Sequence, residues 1–76
     1  MPKLPIIKAR EFIRAIRKLG FVEFHQVGSH IQFKHEDGRR VTIAVHKGKD
    51  MKKKTLRGII EDLELSVEEF IKILRS

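Results

Sequence analysis

The sequence contains no cysteine, no tryptophan and no tyrosine among its 76 residues. Without cysteine the chain has no disulfide framework, no thiolate nucleophile and no thiolate metal site. It also has no apolar run long enough to cross a bilayer and nothing typical of a signal peptide. We therefore expect a cytoplasmic protein that does not enter the membrane. A chain of this length predicts one domain, residues 1–76, with a modest core.

Several catalytic and cofactor motifs are missing as well. There is no Walker sequence, no GxGxxG, no Gly-x-Ser-x-Gly and no cysteine–histidine pair. No two histidines have the i, i+4 spacing of a helical metal site, so we expect neither a metal nor a small-molecule cofactor. The extended segments lack tyrosine and tryptophan, so we also expect no aromatic platform for stacking single-stranded bases.

Positive charge is abundant but unevenly distributed, and the formal net charge is +7. Residues 1–20 and residues 46–57 each carry six basic side chains against one acidic side chain, whereas residues 58–76 are net acidic. This asymmetry suggests a polyanionic partner, most simply nucleic acid. The alternative is a basic surface that only keeps the protein in solution.

Three extended segments, residues 21–27, 30–35 and 41–46, are separated by two turn signals that contain glycine. Within the second segment apolar and polar residues alternate, which places His30, Gln32 and Lys34 on the side away from the core. The pattern predicts a three-stranded antiparallel sheet with one apolar face.

Apolar residues at helical spacing predict one helix before these strands and two after them. The first helix stops at Gly20, and a capping-box pair, Ser66 and Glu69, begins a short last helix. Two helices packed on one face of the sheet make two layers. The prediction is an α+β fold of α-β-β-β-α order, like the double-stranded-RNA-binding domain, with a short C-terminal helix.

The turn Gly28-Ser29-His30 contains the first candidate for chemistry. Glycine lets a ligand approach the backbone closely, Ser29 could orient the ring or bind a phosphate, and an imidazole can transfer protons near neutral pH. His46 ends the third extended segment and could lie near His30. The alternative is an ordinary surface histidine, and we expect His25 and His35 to be surface residues.

Lysines at the predicted start of the second helix are the second candidate. A helix dipole disfavours cations at that end, so fold stability gives no reason for Lys52, Lys53 and Lys54. A bound phosphate would make this arrangement favourable, because it would interact with both the lysines and the free N–H groups. Lys47 and Lys49 would extend the basic segment. Solvated lysines on a mobile loop are the alternative.

Short segments along nearly the whole chain resemble the HicA toxin family, the messenger-RNA-cleaving half of HicAB toxin–antitoxin systems. The matching segments are Leu19-Gly20-Phe21, Gly28-Ser29-His30, Asp37-Gly38-Arg39-Arg40-Val41-Thr42, Val45-His46-Lys47-Gly48-Lys49, Lys52-Lys53, Thr55-Leu56-Arg57-Gly58-Ile59-Ile60 and Leu65-Ser66-Val67-Glu68-Glu69-Phe70. The resemblance implies a double-stranded-RNA-binding-like fold, ribonuclease activity and neutralisation by a HicB antitoxin. It places the catalytic role on His30. Ala44, Lys54 and Ile31 depart from the residues usual in the family, and none of them replaces His30.

The sequence and the resemblance together predict an endoribonuclease toxin that cleaves messenger RNA without a metal. His30 would act as a general base or acid, and the Gly28-Ser29 turn, His46 and the lysines would bind RNA. A non-catalytic double-stranded-RNA-binding module is the alternative, since it would use the same lysines. A DNA-binding helix-turn-helix built from the last two helices is disfavoured, because five acidic residues lie in 58–76 and would repel phosphate.

Overall fold

The computed structural model describes residues 3–76 and contains the predicted elements in the predicted order. The elements are α1 (Ala9–Lys18), β1 (Val22–Val27), β2 (His30–Lys34), β3 (Arg40–Ala44), α2 (Lys53–Asp62) and α3 (Val67–Arg75). The α+β fold of double-stranded-RNA-binding-domain type is confirmed. The last helix has 9 residues, one fewer than either of the other helices.

The first helix ends where the sequence predicts. Gly20 has a φ of +100°, a left-handed conformation that glycine adopts without strain. A Cβ added there would lie 3.1 Å from Nε2 of His35. Both the backbone angle and the close neighbour therefore require glycine at this position.

The three strands form one antiparallel sheet in the order β1-β2-β3. In the β2–β3 ladder Ile31 pairs with Ile43, and Phe33 pairs with Val41. Phe33, Val41 and Ile43 are buried and Ile31 packs against them, so these pairs form the core face. The alternate residues of the ladder lie on the opposite side, which we call the open face. On β2 these are His30, Gln32 and Lys34.

Strand β1 departs from regular alternation. Its pairing with β2 steps from Glu23↔Phe33 directly to His25↔Gln32, so Phe24 is the extra residue of a β-bulge. All six residues of β1 are exposed. This strand therefore contributes pairing and surface, whereas β2 and β3 supply the core side chains.

The core is entirely hydrophobic among the residues that the structure describes. Helix α2 buries Leu56, Ile59 and Ile60, and α1 meets α3 through stacked rings of Phe12 and Phe70 whose centroids are 5.2 Å apart. Because α3 packs on α1, it completes the helical layer. One face of the sheet is thus covered by helices and the other is left to solvent.

The expectation that His35 is a surface residue is wrong. Its Nε2–H donates to the carbonyl of Leu19 at 2.9 Å, and its ring lies 5.0 Å from that of Phe21. Arg39 lies over the same phenylalanine ring and donates to Asp37 and to the carbonyl of Leu63. The β2–β3 turn is therefore tied to the ends of α1 and α2.

Candidate functional site

His30 is the first residue of β2, directly after a two-residue turn. Gly28 has a φ of +57°, and its carbonyl accepts a hydrogen bond of 3.0 Å from the Gln26 side chain. The backbone of His30 pairs with Val27 on one side and with Ala44 on the other, while the residue is exposed. The structure thus gives a histidine that is held rigidly at its backbone and accessible at its side chain.

His46 lies beside this turn, although it is not part of β3. The strand ends at Ala44, two residues earlier than the sequence suggests. The next N–H, that of Val45, still donates to the carbonyl of Ser29 at 2.8 Å. This bond places the residue before His46 next to the turn that contains His30. Residues that directly precede His46 and His30 are thus hydrogen-bonded to each other, and the proximity of the two histidine side chains stays a prediction.

The basic segment that follows begins with a turn and is then tied to the chain just before α1. The N–H of Lys49 donates to the carbonyl of His46 at 3.1 Å, and the N–H of Met51 donates to the carbonyl of Ile7 at 2.8 Å. Asp50 forms an ion pair with Lys8 at 3.2 Å. Since Asp50 is the one acidic residue in 46–57, the segment presents no free carboxylate of its own.

All five predicted lysines of this segment are exposed. Within residues 3–76, none of them forms an ion pair: Lys47, Lys49, Lys52, Lys53 and Lys54. Their charges are therefore compensated only by solvent and mobile ions. A polyanion that met this surface would gain attraction without breaking internal ion pairs.

Helix α2 begins at Lys53, as predicted, and its N-terminus is poorly capped. Lys52 occupies the N-cap position, makes no side-chain cap hydrogen bond, and no acidic residue lies in the first turn. The contrast with α3 is clear, because Ser66 and Glu69 form the predicted capping box there with bonds of 3.0 and 3.1 Å. The start of α2 thus combines N–H groups that no side chain caps with three exposed lysine side chains.

Three residues that sequence reasoning missed also lie on the open face. Phe24 is 39% exposed, whereas the other four phenylalanines are buried. Lys34 Nζ lies 5.3 Å from the centroid of its ring, and Cζ of Arg40 lies 5.5 Å from it. Among the described residues the sheet exposes one phenylalanine ring, and the expectation that it has no aromatic platform for stacking bases stays a prediction.

Other features of the surface lie apart from His30. A cleft of about 760 Å³ between the N-terminal segment, α2 and the start of α3 is lined by Leu4, Ile60 and Lys53, among others, but not by the turn at 28–30. Of the site residues predicted from the sequence, only Lys53 reaches it. Within residues 3–76, no three side chains of His, Asp or Glu come together as metal ligands. In the same range no helix is long and apolar enough to cross a membrane.

Two carboxyl groups have a lowered pKa, and both belong to caps or turns. The backbone N–H of Ser66 donates to Glu69 and lowers the pKa of that carboxyl group. The backbone N–H of Arg39 does the same for the pKa of Asp37, helped by the Arg39 side chain. Both groups stabilise local structure and neither touches the turn at His30.

These features define a small α+β domain with an open sheet, a strand-borne histidine and an unpaired basic helix start. A family model described as the HicA toxin of bacterial toxin–antitoxin systems matches residues 9–65. The match spans α1, the whole sheet, α2 and every predicted site residue, and stops before α3. The chain therefore belongs to the HicA toxin family, which makes it a toxin of a toxin–antitoxin system and implies an antitoxin partner. No curated protein matches the chain.

Proposed function

We propose that this toxin is an endoribonuclease that cleaves messenger RNA in the cytoplasm without a metal, with His30 as the catalytic histidine. The observation that carries the proposal is the placement of His30. Its backbone is paired on both sides, its side chain is exposed, and His46 and five unpaired lysines follow in the adjoining segment. Residues 1–76 would act as one such domain.

The chemistry needs one proton removed and one proton delivered. A general base takes the proton of a 2′-hydroxyl, the 2′-oxygen attacks the neighbouring phosphorus, and the bond from phosphorus to the 5′-oxygen breaks. The leaving 5′-oxygen then takes a proton from a general acid, which gives a cyclic phosphate and a free hydroxyl. His30 fills one of these two roles, and His46 or Lys49 is the candidate for the other. Because DNA lacks the 2′-hydroxyl, this reaction selects RNA.

The remaining site residues would bind and stabilise charge. One general acid or base contributes roughly 10²–10⁴-fold to the rate, so further stabilisation must come from elsewhere. Lys47 and Lys49 follow His46 directly and would neutralise the phosphate that is attacked. The N–H groups of Gly28 and Ser29 and the start of α2 would hold flanking phosphates.

The decisive experiment compares two exposed histidines of the same sheet. His30→Ala should abolish RNA cleavage and growth arrest, whereas the control His25→Ala should retain both. Neither change should alter stability by more than about 0.5 kcal/mol, since both side chains are exposed. Cleavage should also continue in EDTA. Wild-type cleavage rates in His30→Ala would refute the proposal, and loss of activity in EDTA would refute its metal-independent form.

A non-catalytic RNA-binding module would behave differently in the same assay. It would bind RNA through the lysines of residues 46–57, and no variant would change cleavage because wild-type protein would show none. Growth arrest would then follow RNA binding and would survive His30→Ala.

We further propose that a HicB-type antitoxin inhibits by covering His30 or the basic segment. It should present acidic groups to the unpaired lysines, because opposite potentials steer association. A standard interface buries about 1,200–2,000 Å² in total, about half of it on each partner, which is a substantial part of the 5533 Å² surface of this chain. Titrating antitoxin into a complex of RNA with the His30→Ala protein should displace the RNA. A stable ternary complex would show that inhibition acts at a distance.

A further inference from the structure

The open face carries one exposed aromatic ring beside two cations, at the end of the sheet away from His30. Lys34 and Arg40 pair directly across the β2–β3 ladder, and both lie over the ring of Phe24 at 5.3 and 5.5 Å. Neither cation forms an ion pair within residues 3–76. Like charges directly opposite each other weaken a sheet, and the contacts of both cations with the Phe24 ring offset part of that cost.

The β-bulge is what brings Phe24 to this position. Residues on either side of it, Glu23 and His25, pair with successive residues of β2, so Phe24 has no partner of its own in the ladder. Bulges of this kind re-aim side chains and occur beside functional sites. The neighbouring Arg39 is tied into the fold by Asp37 and Phe21, whereas Arg40 has no such contact apart from Phe24.

The ring lies on the same face as His30. Side chains two residues apart on a strand share a face, and the rise of about 3.3 Å per residue separates His30 from Lys34 by about 13 Å along β2. A short stretch of nucleic acid strand that crosses the open face can therefore reach both ends of β2. The described part of the chain measures 34 × 30 × 21 Å, so this path crosses much of one face.

We propose that Phe24, Lys34 and Arg40 form a subsite for an unpaired base of the substrate, with the base stacked on Phe24 and the adjoining phosphates bound by the two cations. The identity of the occupant as RNA rests on the proposed function. An aromatic ring stacks any base, and a base is free to stack only outside a duplex. An apolar protein surface fits less well, because it would desolvate two cations without pairing them. The substrate class is then single-stranded or looped RNA.

A tryptophan at this position gives a direct readout, because the chain has no tryptophan or tyrosine of its own. In the non-cleaving His30→Ala background, the tryptophan fluorescence of the Phe24→Trp variant should be quenched when a single-stranded RNA oligonucleotide binds. The matched control is Ile6→Trp, at an exposed apolar residue outside the sheet, and it should not be quenched. A duplex of the same sequence should quench neither protein.

Affinity supplies the second arm of the experiment. Base stacking on an aromatic side chain predicts that Phe24→Ala weakens binding of the single strand by roughly 5- to 150-fold, while Phe24→Tyr retains it. The control Ile6→Ala should bind normally, and circular dichroism should show the same fold for each variant. Unchanged affinity in Phe24→Ala, or equal quenching by the duplex, would overturn the subsite.

These outcomes are separate from those of the proposed function, since binding to the His30→Ala protein does not depend on cleavage. If wild-type protein bound single strands through Phe24 but cut none, the subsite would stand and the ribonuclease proposal would fail. If His30 were required for cleavage while Phe24 variants bound normally, the ribonuclease proposal would stand and the subsite would fail.

Discussion

Replacing Lys52 with serine should make the protein more stable and at the same time weaken RNA binding. Lys52 occupies the N-cap position of α2 with extended backbone angles, φ −68° and ψ 139°, which suit a capping residue. Its side chain cannot accept a hydrogen bond, and its charge opposes the helix dipole. A serine there can accept from the helix N–H groups, as Ser66 already does at α3.

The expected gain in stability follows from these two terms. A serine cap instead of a non-capping residue contributes about 0.5–2 kcal/mol to the free energy of unfolding. Removing an exposed cation from the helix start adds about 0.3–1 kcal/mol at low salt. In a domain of this size each kcal/mol raises Tm by about 4–8 °C. We therefore expect Lys52→Ser to melt several degrees higher than the wild type.

The control Lys52→Ala separates the two effects, because it removes the charge without adding a cap. Both variants should reduce the salt dependence of RNA affinity by about one unit of slope, if Lys52 contacts a phosphate. Only the serine variant should gain the cap contribution in thermal denaturation. Equal melting temperatures for the two variants would refute the argument that α2 is under-capped. An unchanged slope in both would show that Lys52 is merely solvated.

Two further predictions concern stability. Gly58 lies inside α2 with open space around it, so Gly58→Ala should stabilise the fold by about 0.5–1 kcal/mol. Gly20→Ala should instead destabilise it by about 1 kcal/mol or more, because φ is +100° and the new Cβ would press on His35. Chemical denaturation of both variants checks that the two changes in stability have opposite signs. The lowered pKa of Glu69 means that its charged form stabilises the fold above its ordinary pKa and loses that contribution as pH falls through the folded pKa. Glu69→Gln should therefore be less stable than the wild type at neutral pH and equally stable in acid, and a constant difference across pH would contradict the capping role.

Local patterns were sufficient to predict the helices, the turns and the face of β2 that carries His30. Helical periodicity, the stop at Gly20 and the capping box of Ser66 are interactions between residues close in sequence. The strand prediction missed His35 because the alternation of buried and exposed side chains was not continued past Phe33. Continued by two residues from that buried side chain, it would have placed His35 on the core side, where the structure has it.

Features set by pairing between strands could not be predicted in the same way. The bulge at Phe24 depends on which residue of β2 lies opposite, and no local pattern in β1 shows that register. The cluster of Phe24, Lys34 and Arg40 joins three strands, so its members are scattered in the sequence. The position of His30 could be predicted because it follows a turn, whereas its surroundings required the assembled sheet.

The division of charge between structural and unpaired positions favours a functional reason for the unpaired ones. Arg39 and Lys8 have carboxylate partners, and Arg39 also contacts a backbone carbonyl. The lysines of the basic segment and the two cations beside Phe24 have no carboxylate partner within residues 3–76, and three lysines stand where the helix dipole opposes them. Exposed cations in water cost little individually, so the clearest unfavourable contribution is the placement of three lysines at the start of α2. It is accounted for if a polyanion occupies these positions when the toxin acts, and an acidic antitoxin would stabilise the resting protein by compensating the same charges.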